Sequence, residues 1–409
     1  MKFKILLLLI YFAFQIFPQS LEIKSLKAYG DNDETSFPII TPGNGGAQHL
    51  TIEFDVQSDF LPSLNIVFRF CDRNWNPYNN IFLFNQGKNI GYRLDFSKLP
   101  TTVKEAKYHF VGSYPDSKGY VDFPFSGKWR FYVTDSQDTS IVYATGKFYV
   151  VYPVVALQDT LKKEQLEDKI YFPADLSKVF NITTNFNLPN DLYPSNVNQV
   201  EIIDNHKIDY PIIVDRKENT NVRQFYWDGN RKFSFIARDI LPGNEYRQTD
   251  LRNTNIFQSK DVKAHLDEID YSRFFTLGKR DLNGGSILTN FNDDFATYLN
   301  VTFTIRPPSE VPGGIYLVGA FNNWKISSDY QLTNNYGLYS ITIPLKRGIY
   351  DYQYVIADFN NGDLEKADWV TLEGNNWDTK NIYKVFLYYN DPNYGGYDRI
   401  IGYQQIKSE

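Results

Sequence analysis

Short runs in which apolar and polar residues alternate, each bounded by turn-forming residues, recur along most of this 409-residue chain, and they restrict it to β-structure. His49-Leu50-Thr51-Ile52-Glu53-Phe54-Asp55-Val56 is one such run, and Tyr298-Leu299-Asn300-Val301-Thr302-Phe303-Thr304-Ile305 is another. A period of two places every second side chain on one face, which is a half-buried strand and not a helix. Composition agrees. There are 31 Tyr and 32 Phe against one Met, and aromatic residues suit a pleated surface. Turn signals such as Asp116-Ser117-Lys118-Gly119 and Asp228-Gly229 divide the strands. The expected fold is all-β, with three successive β-sandwich-like domains, the last immunoglobulin-like.

Residues 1–20 read as a signal peptide, with an N-terminal anchor as the alternative. Lys2 and Lys4 precede an apolar run from Ile5 to Phe17, too short for a membrane span of about 20 residues. The remainder divides into an N-terminal sandwich (21–155), a middle β-rich domain (156–295) and a C-terminal sandwich (296–409). The polar stretch after Pro153, including Asp159 to Leu166, is expected to be a linker with at most one helical turn. A single cysteine allows no intramolecular disulfide, so folding rests on packing, and its place in an apolar run makes Cys71 a buried, inert thiol.

A formal charge of −6 with no block of one sign gives nucleic-acid binding no electrostatic support. The four histidines are scattered, without metal-ligand spacing, and no P-loop, Gly-x-Ser-x-Gly or EF-hand loop occurs. Asp267-Glu268 and Asp293-Asp294 read as solvated turns. No catalytic, cofactor-binding or metal-binding residue is therefore expected.

Four stretches stand out for other reasons. In 71–77 (Cys-Asp-Arg-Asn-Trp-Asn-Pro), a strand ends in short polar residues that bond their own backbone, an aromatic anchor (Trp75) and a breaker (Pro77), which suits a packed corner. In 241–252, Gly243 permits a tight turn beside Asn244. Glu245 and Arg247 then stand two residues apart on one strand face, and Asp250 with Arg252 repeats the pattern, a ladder of opposite charges that is either an exposed structural salt network or a partner-facing surface. The strand 314–319 runs into Asn322-Asn323-Trp324, and 317–324 resembles the opening strand of glycogen-binding modules. Two readings of Trp324 are open: a corner residue packed under its own hairpin, or a sugar-stacking platform with Trp369 and Trp377. The last stretch is the ending 397–402 (Tyr-Asp-Arg-Ile-Ile-Gly), which contains Arg399.

Together these segments resemble the plug proteins of the type IX secretion system. The match covers 71–77, then the Gly-Asn-Glu, aromatic, Arg and Asp-x-Arg pattern of 243–252, then Trp324, 350–355, Glu373-Gly374-Asn375 and the ending with Arg399. Pro242 and Thr249 depart from the pattern. The resemblance marks Cys71, Asp72, Trp75, Pro77, Gly243, Asn244, Glu245, Arg247, Asp250, Arg252, Trp324 and Arg399 as family-motif or interface residues. It implies a non-enzymatic subunit in the periplasm, associated with the outer membrane. Its partner is then the periplasmic face of a large translocon β-barrel, closed when no cargo is loaded. The rival expectation is a secreted or periplasmic carbohydrate-binding sandwich. A glycan-cleaving enzyme needs a cleft with two carboxylates about 5–10 Å apart, and no such pair can be singled out.

Overall fold

The computed structural model describes residues 21–43, 45–166, 174–265 and 269–408. The expected signal segment lies outside them, as do Asn44, Asp267 and Glu268. About 49% of residues are strand and 5% helix, so sheets must cover one another.

The first sandwich contains β1 (Glu22–Gly30), β2 (Ile39–Ile40), β3 (Leu50–Gln57), β4 (Leu64–Cys71), β5 (Ile90–Gly91), β6 (Ser97–Lys98), β7 (Tyr108–Tyr114), β8 (Gly127–Asp135) and β9 (Val142–Val150). A β1-β3-β7-β6 sheet faces a β2-β9-β8-β4-β5 sheet. The alternating residues meet between them: Leu50, Ile52 and Phe54 from β3 pack in one core with Ile66, Phe68 and Phe70 from β4.

The second sandwich begins with β10 (Gln158–Gln165), β11 (Lys178–Asn187), β12 (Val197–Asp204), β13 (Ile212–Asp215), β14 (Arg223–Trp227) and β15 (Lys232–Ile240). Within the expected linker, Gln158–Gln165 is therefore a strand, and 167–173 lie outside the described residues. All eight residues of β10 pair antiparallel with β11. Its Lys-Lys-Glu sequence belongs to a sheet edge, where charge deters further pairing.

The third sandwich holds β16 (Arg247–Asp250), β17 (Asp261–Lys263), β18 (Asp270–Tyr271), β19 (Ser286–Leu288), β20 (Tyr298–Arg306), β21 (Gly314–Gly319), β22 (Thr333–Asn335), β23 (Leu338–Lys346), β24 (Gly348–Asn360) and β25 (Asp363–Asp368). The long β24 pairs with β16, β19, β21 and β25. Opposite it lies the β17-β20-β23-β22 sheet, with β18 parallel to β20.

The last two strands, β26 (Ile382–Asp391) and β27 (Tyr397–Lys407), leave this domain and complete a β13-β12-β26-β27 sheet in the second sandwich. Sheets thus divide the chain elsewhere than at 295/296. Residues 247–288 contribute strands to the third sandwich, and 382–407 to the second. The reason is visible in β26, which is buried on both faces. Tyr383, Val385 and Leu387 enter the second core, while Phe386 and Tyr388 face the first sandwich.

Each pair of sandwiches is sealed by its own apolar contact. Tyr149 of β9 stacks on Phe386 with centroids 4.5 Å apart, between first and second. Val103 and Ala106 meet Ala296 and Tyr298 between first and third. Tyr210, from the β12–β13 connection, packs with Trp369 between second and third.

Candidate functional site

The 71–77 segment forms a corner at the first seam. β4 ends at Cys71, which bridges to Pro77. Asp72 then organises the turn. Its Oδ1 accepts the Asn74 and Asn76 N–H groups, both at 2.8 Å, and its carbonyl accepts the Trp75 N–H at 3.0 Å. These bonds hold Trp75 at a φ of +69°, a left-handed conformation uncommon for an aromatic residue. The Cys71 thiol is buried and pushed up to about 12 by that burial.

The corner places Trp75 against Tyr149 and sets Lys128 Nζ 4.8 Å from the indole centroid. Lys128 also donates to the Arg73 carbonyl and to Glu201 of the second sandwich, both at 2.7 Å. Glu201 further accepts from Tyr149 at 2.8 Å and Tyr388 at 3.3 Å. Arg73 N–H donates to Asp398 at 3.0 Å, and Asp398 N–H to the Tyr78 hydroxyl at 2.8 Å, so the first matched segment is bonded to the chain's ending. Arg399 pairs with Asp391 at 3.2 Å beside it.

The second segment is a hub. Gly243, at φ +69°, donates to Asn375 Oδ1 at 2.9 Å. Asn244 Nδ2 reaches the carbonyls of Thr276 and Glu373 at 2.8 and 2.7 Å. The expected Glu245–Arg247 half of the charge ladder does not form. Glu245 precedes β16 and accepts the Lys380 N–H, whereas Arg247 pairs with Glu373 at 3.0 Å and Asp270 at 2.9 Å. Arg273 also grips Glu373, at 3.0 Å. Burial alone would raise the Glu373 carboxyl, but the two guanidinium groups outweigh it and hold it below its ordinary range. Asp250 and Arg252 do pair, at 2.7 Å, on the exposed surface. The departure at Thr249 is satisfied locally, since its hydroxyl donates to the Ala264 carbonyl in a buried position.

Trp324 is 1% exposed, donates Nε1–H to the Gly284 carbonyl at 2.8 Å and lies against Tyr246. It is a corner residue whose ring faces are covered. Trp369 packs in the same cluster and Trp377 belongs to the second core, so the three form no common platform.

Two ionic features escaped the sequence reading. Asp55 is buried at the first-to-third seam with Lys346 at 2.8 Å, His109 at 2.7 Å and the Tyr298 hydroxyl at 2.7 Å. Burial would raise Asp55, and these partners together hold it low. Asp281 and Asp351 lie in the third sandwich beside Gly284. Burial and mutual repulsion push Asp281 up to about 8, and burial pushes Asp351 up to about 6. The Asp55–Lys346 partners are 291 positions apart, and no spacing signal links them. Among the described residues, no three His, Cys, Asp or Glu side chains are placed to hold a metal ion. No helix among them is long and apolar enough to cross a membrane.

No protein-family model and no curated protein matches the chain. Among solved structures, the crystal structure of a hypothetical protein from Parabacteroides merdae ATCC 43184 superposes with a TM-score of 0.75. It is 21% identical and covers 95% of this chain and 98% of that one. The whole three-sandwich arrangement is therefore a shared fold. A structure of a 1.5-MDa bacterial ice-binding adhesin, at 9% identity over 95% of this chain and 96% of that one, has a TM-score of 0.15 and carries no argument.

Proposed function

We propose that this chain is a non-enzymatic plug subunit of the type IX secretion system, closing the periplasmic opening of a large outer-membrane barrel when no cargo is loaded. The observation that carries this reading is how the matched segments are used. Residues 71–77 bond to the 397–402 ending through Arg73 and Asp398, and 243–252 bonds to 373–375 through Arg247 and Glu373. Segments far apart in sequence are thus fixation points of one body.

A lid over a wide pore must resist bending, and three sandwiches sealed pairwise by apolar clusters and buried ion pairs supply a stiff one. The signal-like residues 1–20 support export across an inner membrane, which the periplasmic placement of this reading requires. Affinity purification of the tagged mature chain from its native envelope is expected to recover a very large outer-membrane barrel. Repeated recovery without one would count against the proposal.

A further inference from the structure

We propose that the cleft where the three sandwiches meet binds a small ligand bearing phosphate or carboxylate groups. The space is about 350 Å³, within the range of small-molecule sites. Its walls come from all three units: Lys27, Arg130 and Lys147 from the first, His206 and Asp209 from the second, and Gly284 to Ser286 with Asn322 to Lys325 from the third.

The charges around it do not balance. Lys27 is held by Glu34 at 2.8 Å and by the Ser286 carbonyl, and Lys147 by Asp209. Burial keeps His206 neutral, lowered to about 3. Glu34 and Asp209 are thus both engaged. Arg130 and Lys325 face the cleft with no carboxylate in ion-pair range among the described residues. Arg130 Nε is buried and makes no hydrogen bond, while the guanidinium carbon sits 5.3 Å from the Tyr132 centroid.

Strand register sharpens the imbalance. Arg130 on β8 stands directly opposite Arg69 on β4 and Lys147 on β9, a row of three cations across one sheet. Like charges placed opposite one another destabilise a sheet, and Asp209 offsets only the Lys147 end of the row. Arg69 resolves its own position by donating to the Tyr78 carbonyl at 3.1 Å over the Phe84 ring. Arg130, at the centre of the row, shares only the ring contact, with Tyr132, and its buried Nε makes no hydrogen bond. An oxyanion accepting from its planar fork, with Lys325 approaching from the third sandwich, satisfies both. Such a ligand would bridge two units of the fold.

The test is calorimetric titration of the full mature chain with inorganic phosphate and, separately, with citrate, at matched ionic strength. One saturable site is expected, and whichever probe binds more tightly tells phosphate from carboxylate chemistry. Arg130→Gln should weaken it at least tenfold and Lys325→Gln severalfold, while Lys162→Gln on the distant β10 edge leaves it unchanged. Thermal melts verify folding. Lys325 is exposed, so its variant remains informative if Arg130→Gln unfolds. Absence of saturable binding to both probes, or equal affinity in native, Arg130→Gln and Lys325→Gln chains, overturns the proposal.

Discussion

Lys128 Nζ lies 2.7 Å from Glu201 Oε2, joining β8 of the first sandwich to β12 of the second where both side chains are 1% exposed. Each charge needs the other, because a lone buried ion costs several kcal/mol. Lys128→Met is expected to destabilise the chain by about 3–5 kcal/mol, read from the urea midpoint. Adding Glu201→Gln should recover part of the loss. No recovery in the double variant would show that the loss comes from packing against Trp75 and not from the stranded carboxylate.

The Asp351 carboxylate accepts N–H bonds from Leu282 and Gly284 at 2.7 and 2.9 Å, yet it shares its neighbourhood with Asp281. Both carboxyls are raised in the fold, so the stability they contribute is complete below pH about 4, the unfolded value. It is lost as pH rises through about 6 and then about 8. Asp55 and Glu373, which are lowered, act in the opposite sense and lose their contribution as pH falls below about 4. Asp351→Asn keeps an acceptor for the two N–H groups and removes the charge. It should stabilise the protein by about 1–3 kcal/mol at pH 8 and flatten the pH 5–8 slope of the urea midpoint. An unchanged slope would remove the pair as its cause.

Arg247 uses separate guanidinium nitrogens for Glu373, Asp270 and the Tyr271 carbonyl. Lysine keeps the charge but not the fork. Arg247→Lys is therefore expected to cost about 2–4 kcal/mol by chemical denaturation. The exposed pair partner Arg252→Lys should change stability by less than about 0.5 kcal/mol.

Phe82 and Tyr394 stack at 6.3 Å on the surface, 68% and 52% exposed, with Ile81 beside Phe82. Exposed aromatic groups of this kind serve as anchors in protein interfaces. If the plug reading holds, Phe82→Ser with Tyr394→Ser should reduce co-purification of the barrel severalfold while leaving the melting temperature within a few degrees. Undiminished recovery would place the contact on another face.

Strands were legible because burial repeats every second residue: the runs 49–56 and 298–305 coincide with β3 and β20. The corner at Cys71 was legible too, since Asp72 bonds only to its near neighbours. What could not be read was partnership at a distance. Nothing local distinguishes a β26 that pairs with β12 from one that pairs with β24, and the run of Val385 to Tyr389 fits a buried strand in either sheet. β10 was missed because an edge strand can be mostly charged. Glu245 and Arg247 looked like a pair because proximity along the chain was the available measure, whereas the fold gave Arg247 a carboxylate 126 positions away.

Because β12 waits for β26 and β27 to finish its sheet, the third sandwich is an insertion within the second. A chain delivered front end first, from a ribosome or an export channel, can complete its first unit early. Its second stays open until β26 and β27 arrive. A premature stop within the β26–β27 hairpin would therefore leave that central sheet without one or two of its four strands and expose an unpaired edge, giving an aggregation-prone product and not a trimmed one.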